Sequence, residues 1–464
     1  MSKIYIFCIG GTGSRVMRSL TMLLATGVNP GADEIVPVII DPDAANADLT
    51  RAVELINSYN AVSDQLEPTA GNPDRFFKTK ITGVTPGYAL RVRDTEDKTF
   101  GRFIALSSMS RANRAMVRTL FSDRNLDSSM TVGFKGNPNI GSVVLNQVAR
   151  SADFDAFANS FSEGDSIFIV SSIFGGTGAS GFPLLLKTLR TGTDFPNHSL
   201  INKARIGAVT ALPYFKVTRD EMSEIDSSTF ISKTKSALAY YEDNISGEDG
   251  ADALYFLGDT VSTTYENHEG GSQQSNLTHL IEFLAATAVI DFGTTVRDKG
   301  ACLEMGIRES ADTVTFGSFH DKTRAMLFKP MTQFTLMANT LSAHLKFLKS
   351  ASFNANRGNF ESFYSSDFFS SLKIFTGKYH RWLRELKANK RSLELFNVRP
   401  GRQPFDLVNG VTPRRILSRY SNYDLVTARL NTSIRQCVSR RTPDRFLEMF
   451  YRASERLVNE KLSD

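Results

Sequence analysis

The sequence predicts an α/β protein whose first domain contains a doubly wound, mostly parallel sheet, followed by a smaller, mainly helical region. Two observations indicate this fold. Apolar runs of strand length at residues 4–9 and 166–171 each end in a glycine-rich turn that leads into a helical pattern. Further buried-strand patterns alternate with helical ones, as parallel sheets require, because parallel strands need crossover connections.

The first elements set the pattern. Residues 4–9 form a strand that ends in Gly10, Gly11, Thr12 and Gly13, and a helix is predicted over residues 15–25. Residues 34–40 then read as a second buried strand, which closes on an Asp-Pro-Asp turn. Strand, glycine turn, helix and strand in this order are typical of the opening of a parallel sheet.

The middle of the domain is less regular. We interpret residues from about 57 to 125 as an insertion because turn-rich and charged stretches replace the periodic pattern. After it come the glycine-rich segment 133–141, a helix over about 142–149 and a third strand over 166–171. That strand ends at the turn 175–181, which reads G-G-T-G-A-S-G, and a helix is predicted over 183–189.

The rest of the chain divides into three parts. Buried strands at 206–212 and 253–257, separated by a helix near 232–242, complete a first domain of residues 1–275. A central helix begins at Asn276, which caps it together with or in place of Ser275, and this helix with its following loop covers 276–299. Residues 300–464 are predicted to form short strands at 313–319 and 324–328, followed by basic helices.

Composition excludes several classes of protein. At 464 residues and 41% apolar content, the chain can bury a real core in two or three domains and is not a disordered type. Its longest apolar runs fall far short of the roughly 20 residues that cross a bilayer, and the first residues lack a signal peptide's length and cleavage site. We therefore expect a cytoplasmic protein. The cysteines Cys8, Cys302 and Cys437 have no C-x-x-C spacing and predict neither a disulfide framework nor a zinc site.

The charge is unevenly distributed. Residues 373–464 hold 20 Lys and Arg against 9 Asp and Glu, an excess of 11, whereas the whole chain carries +5, so the remainder is at about −6. A basic end on an acidic body suits a nucleic acid, an acidic membrane surface or the acidic body of a neighbouring subunit. Solvated helix faces explain the same pattern without any partner.

The glycine turns suit an anion. Without side chains, the backbone approaches a phosphate closely with its N–H groups directed inward, and the following helix adds the positive end of its dipole. The alternative is a tight strand-to-helix turn that binds nothing. A P-loop is excluded because no Lys follows either turn at the required place. A dinucleotide fingerprint at Gly10 to Gly13 stays open, although Val16 stands at its third glycine position and Asp41 comes late.

Taken together and in order, the turns resemble the tubulin and FtsZ superfamily, with bacterial tubulin-like proteins closer than FtsZ itself. The turn at 175–181 is similar to the family's signature G-G-G-T-G-[ST]-G, and 133–141 is similar to the FtsZ loop that caps the terminal phosphate. Residues 210–214 resemble the loop near the ribose, and the helix from Asn276 resembles the central helix whose first Asn reads the guanine edge. The resemblance covers about residues 1–292.

This resemblance implies GTP or GDP with Mg²⁺ as the ligand. Asp41 and Asp43 suit a hydrated Mg²⁺ on the phosphates, although a helix-capping Asp-Pro-Asp turn explains them equally simply. The residues that the resemblance assigns to the nucleotide are Gly10, Gly11, Thr12, Gly13, Asp41, Asp43, Gly136, Asn137, Pro138, Gly175, Gly176, Thr177, Gly178, Ala179, Ser180 and Asn276.

The resemblance also implies hydrolysis between subunits. In the family, acidic residues after the central helix of one subunit position water at the terminal phosphate of the next. Here Asp291 is the best candidate, with Asp298 and Glu304 as alternatives, and Thr294 stands where a second acid is usual.

Three functions follow as hypotheses. The first is a GTP-binding, filament-forming protein of cytoskeletal type with slow or partner-dependent GTPase activity. The second is a nucleotide-responsive scaffold that does not polymerise and holds a partner protein or nucleic acid with its basic end. The third is an NAD(P)-dependent oxidoreductase that uses Gly10 to Gly13.

Overall fold

The computed structural model describes residues 2–68, 75–93, 95, 97–131, 133–134, 136–218, 227–245, 247, 250–266, 271–273, 276–296, 307, 312–356, 360–397, 403–414 and 422–462. Its strands are Lys3–Ile9 (β1), Glu34–Ile40 (β2), Lys80–Ile81 (β3), Ala89–Leu90 (β4), Ser166–Ser172 (β5), Arg205–Ala211 (β6), Phe215–Val217 (β7), Ala253–Leu257 (β8), Thr263–Tyr265 (β9), Thr313–Val314 (β10) and Ser392–Leu393 (β11).

Its α-helices are Gly10–Ala25 (α1), Ala47–Ser63 (α2), Phe100–Phe103 (α3), Arg111–Leu120 (α4), Asp123–Asp127 (α5), Pro138–Leu145 (α6), Ala152–Ser160 (α7), Gly176–Thr191 (α8), His198–Ile201 (α9), Phe230–Asn244 (α10), Leu280–Thr294 (α11), Asp321–Ala343 (α12), Leu345–Ser350 (α13), Phe353–Asn356 (α14), Asp367–Ala388 (α15), Asn422–Ser433 (α16) and Thr442–Lys461 (α17). None of the described helices is long and apolar enough to span a membrane.

A parallel sheet forms the centre of the first domain. Its strands lie in the order β3-β2-β1-β5-β6-β8, and β4 pairs with the carboxyl end of β2, beyond β3. The region interpreted as an insertion therefore supplies two short strands to one edge of this sheet. Every pairing in the sheet is parallel. The prediction of a mostly parallel α/β sheet is confirmed.

Helices cover both faces of the sheet. Successive side chains of β1 alternate between two cores, as the two-residue period of a strand requires. Residues 4, 6 and 8 face a core shared with α1, α2 and α11, whereas residues 5, 7 and 9 face a core shared with α6, α7, α8 and α10. This arrangement confirms the doubly wound architecture.

The C-terminal region is mainly helical, as predicted, and packs on the face that carries α1 and α11. Trp382 of α15 lies against Phe283 of α11 with ring centres 5.9 Å apart, and its indole N–H donates to Ser19 of α1 at 3.3 Å. The central helix is thus enclosed between the sheet and the C-terminal helices, within one continuous core.

Glu385 of α15 adds an ionic link to this contact. Its carboxylate accepts from Arg18 of α1 at 3.0 Å, from Arg51 of α2 at 2.6 Å and from the Thr278 hydroxyl at 3.0 Å. Burial raises the pKa of Glu385, but the two arginines and Thr278 outweigh burial and hold it below its ordinary value. The segment that leads into α11 is therefore fixed by the C-terminal region.

Three local predictions are corrected. The helices after the glycine turns begin at Gly10 and Gly176 rather than at residues 15 and 183, because the first helical N–H groups make no intrahelical bond and glycine is tolerated there. Residues 324–328, predicted as a strand, lie within α12, since short apolar runs do not distinguish the two structures. Of residues 313–319, only Thr313–Val314 form a strand.

The cap of the central helix is also corrected. Helix α11 begins at Leu280 and its cap is His279, whose ring nitrogen accepts from the Ile281 N–H at 3.2 Å. The Glu282 carboxylate accepts in return from the His279 N–H at 2.8 Å. Asn276 lies three residues before this capping box, and position 275 is outside the described residues.

Candidate functional site

The two glycine turns follow adjacent strands, at the point where the strand order of the sheet reverses. From β1 the chain crosses to β2 on one side, whereas β5, β6 and β8 follow on the other. Ligands of open α/β sheets bind in the crevice at the carboxyl ends of the strands at such a switch point. The turns after β1 and β5 border this crevice.

The first turn can be made only by glycine at two positions. Gly10 has a φ of +68°, in the left-handed region that favours glycine. A Cβ atom on Gly13 would lie 2.5 Å from the carbonyl carbon of Cys8, so helix α1 approaches β1 more closely than any side chain permits. Residues 10–13 therefore form a bare backbone surface at the end of β1.

The second turn repeats this arrangement. A Cβ atom on Gly178 would lie 2.5 Å from the Ser172 carbonyl oxygen, and a Cβ atom on Gly10 would lie 3.5 Å from the Thr177 Cβ. The two turns are thus in contact. Ser180, predicted to donate to phosphate, is buried and its hydroxyl donates to the Gly176 carbonyl at 2.7 Å.

A third turn, which contains Gly133 and Gly136, also borders the cleft. Gly133 and Gly136 both have positive φ, of 87° and 74°. The backbone nitrogens of Gly136 and Asn137 come within 3.0 and 3.1 Å of the place where a Cβ atom on Gly176 would stand. Residues 132 and 135 of this segment lie outside the described residues.

The helices that start at these three turns share an electrostatic feature. Within the described chain, no side-chain hydrogen bond caps α1, α6 or α8, and none has an acidic residue in its first turn. In contrast, α2, α11 and α15 are each capped by a side chain and carry Asp48, Glu282 and Asp367 in their first turns. The cleft therefore receives three helix N-termini that have neither a capping side chain nor an acidic residue in their own first turns.

Most of the predicted binding residues line this cleft. Those that do are Gly10, Gly11, Thr12, Asp41, Asp43, Gly136, Gly175, Gly176, Thr177, Gly178 and Asn276. Gly13, Asn137, Pro138, Ala179 and Ser180 lie behind this lining, in the turns and helices that support it. The opposite wall is aromatic, with Phe174, Phe215 and Phe230, none of which the sequence pattern indicated.

The two aspartates after β2 have different environments. Both carboxylate oxygens of Asp43 accept backbone N–H groups, from Ala45 at 3.1 Å and from Gly271 at 2.6 Å. The Asp41 carboxylate accepts from the Asp43 N–H at 3.0 Å and from the Asn46 side chain at 3.4 Å. Burial raises the pKa of Asp41 to about 7, and the neighbouring carboxylates add to this rise. Asp41 is thus the carboxylate that a cation in the cleft would stabilise most.

A buried charged network forms the floor of the cleft, and sequence reasoning did not find it. The Arg15 guanidinium pairs with Glu282 of α11 and with Asp48 of α2, and it donates to the Tyr214 hydroxyl at 3.1 Å. Burial alone lowers the pKa of Arg15, but Glu282, Tyr214 and Asp48 outweigh it and hold the guanidinium charged. The available signal was the presence of two arginines three residues apart on α1, Arg15 and Arg18.

Asn276 is held at the rim by its backbone. Its carbonyl accepts from Arg51 at 3.0 Å, and its side chain belongs to the lining of the cleft. Because Arg51 also pairs with Glu385, this position is connected to the C-terminal region. An amide side chain here can both donate and accept at a ligand edge.

Solved structures are similar to this chain, whereas no protein-family model and no curated protein sequence matches it. CetZ from Methanosaeta thermophila strain DSM 6194 is 14% identical, with a TM-score of 0.26, over 56% of this chain and 46% of that chain. CetZ2 from Haloferax volcanii, described as a GTPγS-bound protofilament, is 15% identical, with a TM-score of 0.30, over 64% of this chain and 60% of that chain.

The chain is similar to these two CetZ structures at low sequence identity. It spans less than two thirds of either CetZ chain. At these identities and TM-scores the likeness carries no information on ligand or assembly. The resemblance to bacterial tubulin-like proteins in particular stays a prediction.

Asp291 lies in the last turn of the central helix α11. The helix starts at the cleft and its last turn reaches the amino end of β6, where Arg205 donates to the Phe292 and Thr295 carbonyls at 2.7 Å each. The Asp291 side chain is buried, accepts from the Tyr255 hydroxyl at 2.8 Å and pairs with Lys322 at 2.9 Å. The alternatives Asp298 and Glu304 lie outside the described residues.

Proposed function

We propose that this chain binds a guanine nucleotide, GTP or GDP, with its phosphates against the N-termini of α1 and α8. The observation that carries the proposal is the meeting of uncapped, acid-free helix N-termini at the switch point between β1 and β5. Phosphate oxygens supply the acceptors that these backbone N–H groups otherwise lack. The turn at Gly133 and Gly136 covers the terminal phosphate.

The same cleft suits Mg²⁺ as part of the nucleotide complex. Among the described residues, no three His, Cys, Asp or Glu side chains lie close enough together to hold a metal alone. Magnesium on a nucleotide needs only one or two carboxylates, because phosphate oxygens and water complete its octahedral shell. Asp41, with its raised pKa, is the residue we assign to this role, while Asp43 orders the turn.

The base would occupy the opposite side of the cleft, next to Asn276. The rings of Phe215 and Phe230 belong to the lining there, and each side chain exposes only a small part of its surface, 9% and 6%. Ring stacking tolerates any base, so the choice of guanine rests on the amide of Asn276 and on the resemblance of the ordered turns.

We further propose head-to-tail self-association. Helix α11 extends from the cleft, at the carboxyl ends of the strands, to their amino ends. Its length is about 20 Å at 1.5 Å per residue. If copies stack along this axis, the end of α11 in one copy faces the nucleotide of the next. Hydrolysis would then depend on assembly, with Asp291 as the water-positioning acid.

The decisive experiment compares two glycine substitutions. Gly10 and Gly164 both have positive φ, but Gly10 borders the cleft and Gly164 has no neighbour within 4 Å of an added Cβ. Alanine at either position introduces similar backbone strain, on the order of 1 kcal/mol. We expect Gly10→Ala to weaken binding of fluorescent GTP at least about tenfold, whereas Gly164→Ala binds as the unsubstituted protein does.

Two further outcomes separate the alternatives. Equal affinities for the two variants would overturn the proposed phosphate site, and thermal protection by NAD(H) but not by GTP would support the oxidoreductase hypothesis. GTP binding without any rise in light scattering at micromolar protein would remove the filament proposal and leave the scaffold hypothesis. The nucleotide that co-purifies with the protein is identified on the same sample by chromatography.

A further inference from the structure

A second cavity lies in the C-terminal region, apart from the nucleotide cleft. Its volume is about 550 Å³, within the range of roughly 300–1,000 Å³ that is typical of small-molecule sites. Helices α12, α13, α15 and α16 form its walls, and none of them contributes to the lining of the cleft. Its apolar lining includes Leu336, Phe347, Leu348, Phe396, Val426 and Leu430.

The mouth of this cavity exposes apolar surface. Phe347 is 54% exposed, which is unusual for a phenylalanine, and its ring stacks on Tyr423 with centres 5.7 Å apart and planes 13° apart. Tyr423 also packs against His344, at 4.4 Å between ring centres. These rings form a rigid apolar rim that a ligand with an apolar body would cover.

One wall carries positive charge. His380, Arg384 and Lys387 follow each other on one face of α15, and all three line the cavity. The Lys387 ammonium pairs with Glu394. The Arg384 Nε donates to the His380 carbonyl at 3.3 Å, and in the described part of the chain no carboxylate lies within 4.0 Å of its guanidinium.

The imidazole of His380, next to Arg384, has one buried nitrogen. The Nε2 atom of His380 is buried and makes no hydrogen bond to any described residue. Burial and the adjacent Arg384 lower the pKa of His380 to about 4, so the ring is neutral at pH 7. Since Nε2 is closed off from solvent, a ligand in the cavity does not reach it, and the ring adds no charge to this wall.

We infer that this cavity binds an amphipathic carboxylate, such as a medium-chain fatty acid. The carboxylate pairs with the Arg384 guanidinium, while the hydrocarbon chain lies among the apolar lining residues. A guanidinium recognises a carboxylate through two parallel N–H donors. Arg384 would repel a cationic amphiphile, and a fully polar anion would gain nothing from the apolar lining of the cavity.

The test uses decanoate and decanol, which share a chain and differ in charge. Isothermal titration calorimetry of the full-length protein should give one saturable decanoate site, and added GTP should not compete. Arg384→Gln should weaken decanoate about tenfold, the loss expected for one charge-assisted hydrogen bond, and change decanol less than twofold. Arg381→Gln, on the same helix but outside the cavity lining, is the matched control.

A third variant tests the role of the cavity itself. Val426→Trp fills the cavity and should abolish binding of both ligands, with folding verified by circular dichroism and by GTP binding. Absence of saturable decanoate binding to the unsubstituted protein would overturn the inference. Equal losses for Arg384→Gln and Arg381→Gln would do so as well, because a general reduction of positive charge would then explain the effect. Both arginine variants alter exposed side chains, so their folding is not at risk.

Discussion

Arg15 and Glu282 form a buried ion pair that joins the helix of the first glycine turn to the first turn of the central helix. Their side chains are 3% and 1% exposed, although 267 residues separate them in the sequence. Arg15 also pairs with Asp48, and Glu282 also caps α11 through the His279 N–H. One guanidinium therefore fixes α1, α2 and α11 relative to each other beneath the cleft.

Removal of this guanidinium should be strongly destabilising. Arg15→Met leaves the buried Glu282 without a counter-charge and Asp48 with Arg51 alone, at 3.6 Å. Breaking a buried pair in this way typically costs about 3–5 kcal/mol. Arg118→Met is the control, because its pair with Asp123 is exposed and should contribute less than about 1 kcal/mol. Urea denaturation of both variants measures the difference. Similar losses in the two would mean that the network under the cleft adds little to stability.

A negative charge at the N-terminus of α8 should separate stability from binding. Thr177→Glu adds an acid to a first turn that has none, so the helix dipole stabilises the fold by about 0.3–1 kcal/mol. The same charge repels phosphate, and we expect GTP affinity to fall at least a hundredfold, about 2.7 kcal/mol.

The control for this variant lies on the same helix. Thr191→Glu puts an identical charge at the carboxyl end of α8, where it opposes the dipole and is remote from the cleft. It should lower the melting temperature slightly and leave GTP affinity unchanged. If Thr177→Glu bound GTP normally, the phosphates would have to lie elsewhere.

The raised pKa of Asp41 predicts a pH dependence of the nucleotide-free protein. Its folded pKa of about 7 exceeds the ordinary 3.8, so folding favours the protonated acid. The stability from this group is complete below pH 3.8 and is lost as the pH rises through about 7. In EDTA, the free energy of unfolding should fall between pH 5 and 8 by on the order of 2 kcal/mol more in the unsubstituted protein than in Asp41→Asn.

Asp123→Asn controls for surface charge, since Asp123 is largely exposed. Its pH profile should run parallel to that of the unsubstituted protein. A parallel profile for Asp41→Asn as well would show that the Asp41 carboxylate is better solvated than its position in the cleft indicates.

The parts of the site that the sequence predicted are those with local causes. A glycine turn between an apolar strand and a helix is a pattern of a dozen residues, and the register of β1 beside β5 brings two such turns together. The Arg15 network has no local pattern, because Glu282 and Asp48 become its partners only when α11 and α2 pack on α1. The aromatic wall of the cleft likewise depends on long-range packing.

The errors in element boundaries have similar origins. Histidine is an uncommon helix cap, so the sequence pattern predicts Asn276 or Ser275 for α11, whereas the cap is His279. Strands β3 and β4 have two residues each, too few for a two-residue period to be recognised. They form because their backbone pairs with the edge of β2. Residues 324–328 belong to a helix because α12 as a whole packs against α15 and α17.

Asp291 stays the predicted catalytic acid, and its surroundings show how that prediction is best tested. In a single copy the carboxylate is held by Lys322 and Tyr255, so a neighbouring copy must compete with Lys322 for it. We expect Asp291→Asn to reduce GTP turnover at least about tenfold under assembling conditions, while GTP affinity changes less than twofold, because the cleft lies at the other end of α11.

Lys322→Met supplies the opposite change. It removes the cation that holds Asp291, so turnover should rise or begin at lower protein concentration. Lys329→Met removes a lysine of similar exposure from its pair with Glu455 and should have no effect. Phosphate release against protein concentration measures all three variants. Unchanged turnover in Asp291→Asn would assign the water-positioning role to another residue. A parallel response of Lys322→Met and Lys329→Met would attribute the effect to surface charge, since only the first substitution releases the Asp291 carboxylate.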